Sequence, residues 1–146
     1  MTTPYLLADI KRDEGLRLHA YPDPLSGAEP WTIGYGHTGP DVGRETVWTQ
    51  GQADSALAAD VAKVQHGLDA HIPWWRDLND ARQDVLVGMA FNMGVTGLLN
   101  FHHAINDMQG GNFASAANEL LDSKWAQQVH ERAARLATQM ATGTRA

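Results

Sequence analysis

Residues 14–23 read EGLRLHAYPD and residues 31–38 read WTIGYGHT, and in both stretches apolar and polar residues alternate. Alternation with a period of two is typical of strands that bury one face. The segment PDPLSG at residues 22–27 lies between them, and its prolines, aspartate and glycine favour turns. The pattern therefore predicts a small antiparallel sheet over about residues 16–47.

A short helix is predicted immediately before the first stretch. Thr3 followed by Pro4 is typical of an N-cap with proline in the first turn, and Leu6 and Ile10 then lie one turn apart. The same four-residue spacing reaches Glu14. We therefore expect this carboxyl group at the helix end, half-buried in line with the apolar residues.

The rest of the chain is predicted to be helical. The spacing of Thr49 and Gln52 is that of a capping box, and apolar residues recur at helical intervals from Gln52 to about Ala70. Asn79 can cap a second, apolar helix that runs through Phe91. Glycines and Ser123 then divide the remainder into helices expected near 98–108, 113–121 and 124–141.

These elements predict an α+β fold in a single domain over residues 1–146. A small N-terminal β lobe and a larger helical C-terminal lobe are expected, joined by the long helix, with a cleft between them.

Composition excludes several classes of protein. The chain has no cysteine, so disulfides, thiolate metal sites and a thiol nucleophile are excluded. The net charge of −6 argues against a nucleic-acid partner. Apolar runs are far shorter than the roughly 20 residues that cross a bilayer, and the N-terminus lacks the pattern of an export signal. We expect a monomer without stable membrane insertion.

Three polar residues of the N-terminal part are candidates for chemistry: Glu14 at a helix end, Asp23 in a turn and Thr32 at the start of a strand. Hydrolysis of a glycosidic bond needs one protonated carboxyl in an apolar setting and one ionised carboxylate in a polar setting. Glu14 suits the first role and Asp23 the second, while the Thr32 hydroxyl could hold the attacking water. By itself the pair is not diagnostic, because a Glu and an Asp at this spacing occur in most proteins by chance.

Taken together, residues 14–23 and 31–38 resemble the signature of the phage lysozymes and endolysins of glycoside hydrolase family 24. In that family eight residues separate the catalytic glutamate from an aspartate, as they do for Glu14 and Asp23 here. The family's catalytic threonine opens a Thr-Ile-Gly-x-Gly-His motif, which matches Thr32 through His37. Eight residues separate Asp23 from Thr32, where the best-studied members have five, and we interpret the difference as a lengthened hairpin that leaves Thr32 in place.

The resemblance covers nearly the whole chain and implies further roles. Residues 89–97, MAFNMGVTG, resemble the helix that lines the family's cleft, so Phe91 and Asn92 are candidate sugar contacts. Core packing of Phe91 is an equally open alternative. Trp31 adjoins Thr32 and is the tryptophan best placed to stack on a sugar. Residues 123–135 resemble the C-terminal signature, whose first arginine, Arg132 here, pairs with the catalytic glutamate.

The resemblance also assigns one histidine. His37 matches a residue that bonds to an aspartate on the long helix, here Asp60, in a structural role. The adjacent His102 and His103 are expected to be ordinary surface or packing residues, because neighbours on a helix point apart and no His-Glu-x-x-His pattern is present. We expect no metal and no cofactor.

The resemblance thus implies an inverting muramidase that cleaves the β-1,4 bond between N-acetylmuramic acid and N-acetylglucosamine of bacterial peptidoglycan. Glu14 would be the acid, Asp23 the base and Thr32 the residue that positions water. Two alternatives stay open: a lytic transglycosylase, which needs no water-activating aspartate, and a non-catalytic wall-binding module of a virion. For an endolysin, we expect accumulation in the host cytoplasm and release to the cell wall through a phage holin.

Overall fold

The computed structural model describes residues 3–24 and 26–145 and shows two units, one formed by residues up to Lys63 and the other by residues from Val64 onward. The first unit contains an antiparallel sheet, and the second is helical. The α+β class predicted from the sequence is therefore confirmed.

The first helix, α1, comprises Pro4–Glu14. It begins as predicted, because the Thr3 hydroxyl accepts a hydrogen bond of 3.1 Å from the backbone N–H of Leu6. It ends at Gly15, whose φ of 71° leaves the helical region. Leu6 and Ile10 are buried on one face. The half-buried position predicted for Glu14 at the helix end is observed.

The sheet has three strands in the order β1 (Arg17–Tyr21), β2 (Thr32–Gly34) and β3 (His37–Thr38), and both pairings are antiparallel. Tyr21 lies opposite Thr32 in the β1–β2 pair, and Thr32 lies opposite Thr38 in the β2–β3 pair. The alternating run at residues 31–38 is therefore two strands. Positive φ angles at Gly34 and Gly36 allow the chain to reverse between them.

The long helix α2 comprises Gln50–His71 and begins slightly before the predicted start. The predicted capping box is present: the Thr49 N–H donates to Gln52 Oε1 (2.8 Å), and the Gln52 N–H donates to the Thr49 hydroxyl (3.2 Å). The boundary between the units falls within this helix. The buried apolar side chains of the first unit come from both its helices and the sheet region: Leu6, Ile10, Ile33, Tyr35, Val42, Ala53, Leu57 and Val61.

The second unit continues with a short 3₁₀ helix and five α-helices. These are the 3₁₀ helix Trp75–Asp77, α3 (Asp80–Leu98), α4 (His102–Gln109), α5 (Phe113–Leu121), α6 (Lys124–Val129) and α7 (Glu131–Thr142).

Two predicted helix boundaries in this unit were wrong. The helix predicted from residue 98 begins only at His102, because α3 passes through a kink at Gly94 and continues to Leu98. The helix predicted over residues 124–141 is two helices, since His130 has φ 41° and ψ −101°, which no helix accommodates.

The start of α3 and the end of α7 are tied together. Arg82 donates to the carbonyl groups of Met140 (2.8 Å) and Ala141 (3.1 Å), and its guanidinium carbon lies 3.5 Å from the ring centroid of Phe113. Asn79 caps α3 by accepting from the Arg82 N–H (3.0 Å), and its side-chain amide donates to the carbonyl of Gly143 (2.9 Å). These bonds satisfy carbonyl groups that a helix end leaves without intrahelical partners.

Among the described residues, no single helix is long and apolar enough to cross a membrane. Helices α3 and α4 are long and apolar enough only when they are taken together, and the chain bends by 116° between them.

Replacement of Asn79 tests this junction. Asn79→Ala removes both the N-cap acceptor and the donor to Gly143, so we expect a loss of about 1 to 3 kcal/mol in the free energy of unfolding, measured with urea. Asn79→Asp keeps the cap acceptor and should lose less. Equal stability of Asn79→Ala and the unmodified chain would show that the two bonds contribute nothing.

Candidate active site

Glu14 is the last residue of α1, and its carboxyl group lies against Gly36 in the turn between β2 and β3. A methyl group placed on Gly36 would sit 3.0 Å from Glu14 Oε2 and 3.5 Å from its carboxyl carbon. Gly36 also has φ 79°, a conformation that side chains disfavour. The positive φ therefore favours glycine at this position, and a methyl group there would make the Glu14 carboxyl group shift.

Asp23 stands at the base of a compact turn. Its backbone N–H donates to the Ala28 carbonyl (2.9 Å), and its own carbonyl accepts from the Gly27 N–H (2.8 Å). Its carboxylate Oδ2 accepts from the Ser26 N–H (3.0 Å). The Ser26 hydroxyl in turn donates to the carbonyl of Glu29 (3.0 Å). Residues 26–29 of the connection to Thr32 thus fold back on Asp23 and orient its half-buried carboxylate.

Thr32 begins β2 and is half-buried, whereas the next residue, Ile33, is completely buried. Because successive residues of a strand face opposite sides, Thr32 lies on the sheet face away from the side chains that bury Ile33. The preceding Trp31 is half-buried just outside the strand.

One three-stranded sheet positions all three candidate residues. β1 begins three residues after Glu14 and ends two residues before Asp23, and its last residue, Tyr21, pairs with Thr32. Glu14 lies against the turn that follows β2. An acid at a helix end, a carboxylate in a turn and a hydroxyl on a strand are therefore all held by the same small unit.

The remaining predicted sugar contacts lie in the second unit. Asn92 is exposed on α3, and its Oδ1 accepts a hydrogen bond of 2.8 Å from the indole N–H of Trp125. Trp125 also packs edge-on against Phe101, with ring centroids 6.2 Å apart. Phe91 is half-buried. The amide of Asn92 thus holds a buried tryptophan 33 residues away, a contact that no local sequence pattern predicts. Arg132 lies near the start of α7.

His37 is held between two carboxylates. Its Nδ1 lies 2.7 Å from Asp60 Oδ2, the contact that the resemblance implied, and its Nε2 lies 3.3 Å from Asp41, a second partner that the sequence analysis missed. The Trp48 ring packs at 5.2 Å from the imidazole. Burial lowers the pKa of His37, but the hydrogen bonds and charges of Asp60 and Asp41 outweigh it, and the pKa is raised above 6.5.

The adjacent histidines of α4 border a cavity of about 390 Å³ in the second unit. Its lining includes Phe101, His102, His103, Glu119 and Asp122. Throughout residues 3–24 and 26–145, no three His, Asp or Glu side chains converge as metal ligands would.

The carboxylates around His37 set a pH dependence. Because the pKa of His37 is raised on folding, its contribution to stability is complete below the unfolded pKa of 6.5 and is lost as the pH rises through the folded pKa. Asp60→Asn should lower the pKa of His37 by NMR titration, and it should destabilise the chain more at about pH 5.5 than above the folded pKa. Asp41→Asn should act in the same direction but less, since Asp41 is the more exposed and more distant partner. An unchanged titration of His37 in both variants would contradict this assignment.

Comparisons with known proteins identify the family of the chain. The phage lysozyme family model matches residues 11–140. The chain is 33% identical over 158 residues to the pre-baseplate central spike protein Gp5 of Enterobacteria phage T4, covering 92% of this chain and 27% of that protein. It is 37% identical over 116 residues to the endolysin of Bacillus phage B103, covering 80% and 42%. It is 24% identical over 160 residues to the probable T4-type lysozyme 1 of Dictyostelium discoideum, covering 92% of each.

The chain therefore spans less than half the length of the two phage relatives. Because the family model covers most of its residues, including Glu14, Asp23 and Thr32, the chain belongs to the phage lysozyme family.

Proposed function

We propose that the chain hydrolyses bacterial peptidoglycan at the β-1,4 bond between N-acetylmuramic acid and N-acetylglucosamine. The observation that carries this proposal is the positioning of Glu14, Asp23 and Thr32 by one sheet in a chain of the phage lysozyme family. Relatives named endolysin and lysozyme support the same activity.

In the proposed reaction, Glu14 donates its proton to the bridging oxygen as the bond from that oxygen to C1 of the muramic acid breaks. A water held by the Thr32 hydroxyl attacks C1 from the opposite face, and Asp23 accepts the proton that this water loses. The configuration at C1 inverts. An inverting enzyme needs about 6.5 to 9.5 Å between its carboxyl groups to leave room for the water.

The local structure suits these roles. The Glu14 carboxyl group lies against Gly36, so the protein backbone approaches one side of this group and no side chain intervenes. The Asp23 carboxylate is oriented by a backbone N–H, and Thr32 is on the half-exposed face of the sheet. The pairing of Arg132 with Glu14, the sugar contacts of Trp31, Phe91 and Asn92, the cleft and the monomeric state remain predictions.

The biological setting has two candidates. The endolysin relatives favour a lytic enzyme that reaches the wall from the host cytoplasm with the help of a holin. The match to a central spike protein of phage T4 favours instead a wall-degrading module of a virion. The catalytic proposal is the same in both settings.

Substitution of the acid tests the reaction. Glu14→Gln should lower turnover of purified peptidoglycan by at least about 10²-fold, measured as loss of turbidity, with the folded state retained in circular dichroism. The matched control is Glu45→Gln, an exposed glutamate of the same unit, which should keep full activity. The released ends should be reducing. Anhydro ends would favour a transglycosylase, and near-normal turnover by Glu14→Gln would remove the assignment.

The contact between Gly36 and Glu14 gives a second test. Gly36→Ala should lose activity because the added methyl group displaces the carboxyl group, and it should also lose about 1 kcal/mol or more of stability from its positive φ. Gly111→Ala is the control, since Gly111 has φ 82° and open space around it. Both variants should be destabilised, as measured by thermal unfolding, but only Gly36→Ala should lose turnover. Full turnover by Gly36→Ala would show that the close approach has no catalytic importance.

A further inference from the structure

Strand β1 carries a cation packed on an aromatic ring. The guanidinium carbon of the exposed Arg17 lies 5.3 Å from the ring centroid of the half-buried Tyr21. A guanidinium readily stacks on an aromatic face, and such a contact holds the long arginine side chain in one region of the surface. We call these two side chains the Arg17–Tyr21 patch.

The patch lies beside the residue proposed to hold water. Tyr21 is directly opposite Thr32 in the antiparallel register. Side chains at directly opposite positions share a face of the sheet, with Cβ atoms about 4.5 to 5.5 Å apart. β1 begins at Arg17, and its pairing with β2 is irregular between Arg17 and Tyr21. The contact of the Arg17 guanidinium with the Tyr21 ring, and not strand alternation, shows where this side chain lies. The positive charge is therefore held near Thr32 on the same face.

Within the described residues 3–24 and 26–145, the guanidinium of Arg17 has no carboxylate partner and lies over the Tyr21 ring. Elsewhere in the first unit, Lys11 and Arg12 each lie within 4 Å of an aspartate. The chain as a whole carries a net charge of −6, so acidic partners are abundant. An arginine that is held in place but has no carboxylate partner in the protein is suited to bind a carboxylate of a ligand. Its planar guanidinium can donate two parallel N–H bonds to the two carboxylate oxygens.

The substrate carries such a carboxylate in the right place, and this step rests on the proposed function. The sugar whose C1 would receive the water from Thr32 is N-acetylmuramic acid, which bears the stem peptide through the lactyl group on C3 of the same ring. Stem peptides carry free carboxylates. We propose that the Arg17–Tyr21 patch binds a stem-peptide carboxylate of the sugar whose C1 is attacked.

The test compares two substrates that differ only in this charge: native peptidoglycan, and the same material with its carboxyl groups converted to amides. On native material, Arg17→Gln should raise KM about three- to tenfold with little change in kcat. The reason is that the contact stabilises the bound substrate and the transition state equally. On amidated material the variant should match the unmodified chain.

The matched control is Arg44→Gln, which removes the same charge from another exposed arginine of the first unit. It should leave KM unchanged on both substrates. Equal effects of Arg17→Gln and Arg44→Gln on native material, or an equal loss by Arg17→Gln on amidated material, would overturn the proposal.

Binding separates this proposal from the proposed function. Cosedimentation with insoluble native or amidated peptidoglycan needs no turnover, so it can be measured for Glu14→Gln with and without Arg17→Gln. Weaker binding of the double variant to native material alone supports the patch even if the unmodified chain proves inactive. Equal binding of both variants to native material contradicts the patch even if the chain is an active hydrolase.

Discussion

The antiparallel pairing of Tyr21 with Thr32 is the constraint on which the arrangement of the first unit depends. β1 connects the end of α1 to the turn that holds Asp23, so any strand paired with it is placed relative to both carboxyl groups. A shift of one residue in this register would move Thr32 to the opposite face of the sheet, because the side-chain period of a strand is two. The burial of Ile33 opposes such a shift, since it would expose an apolar side chain that is now completely buried.

The β2–β3 hairpin meets the rest of the first unit at its turn and at the strand that follows. At the turn, Gly36 admits the carboxyl group of Glu14, and Tyr35 donates to Asp54 on α2. In β3, His37 bonds to Asp60 on the same helix. The sheet is small, and these contacts with α1 and α2 give it the support that a short hairpin lacks on its own.

Local signals predicted much of the fold. The caps at Thr3, Thr49 and Asn79 were found where short-range hydrogen bonding favours them, and α5 has the predicted bounds. The break at His130 was missed, because its residues favour a continuous helix and no glycine or proline marks the reversal. Local signals cannot predict contacts between residues that are distant in sequence. The hydrogen bond between Trp125 and Asn92 was therefore missed, since no resemblance indicated it.

The candidate site also combines residues that were predicted from the sequence with a contact that was not. Residue types suggested roles for Glu14, Asp23 and Thr32, and the resemblance to a family made those roles specific, but only the structure revealed Gly36 as the neighbour of Glu14. The glycine was visible in the sequence, whereas the carboxyl group that lies against it belongs to a residue 22 positions away along the chain.

The central claim is that Asp23 activates a water held by Thr32 and does not itself attack the sugar. The most direct measurement is the anomeric configuration of the first product, followed by proton NMR before the sugar ends equilibrate. Attack by water on a β-linked sugar predicts that the α-anomer of the new muramic acid end appears first. Initial formation of the β-anomer would contradict the account, because it requires a second displacement at the same carbon.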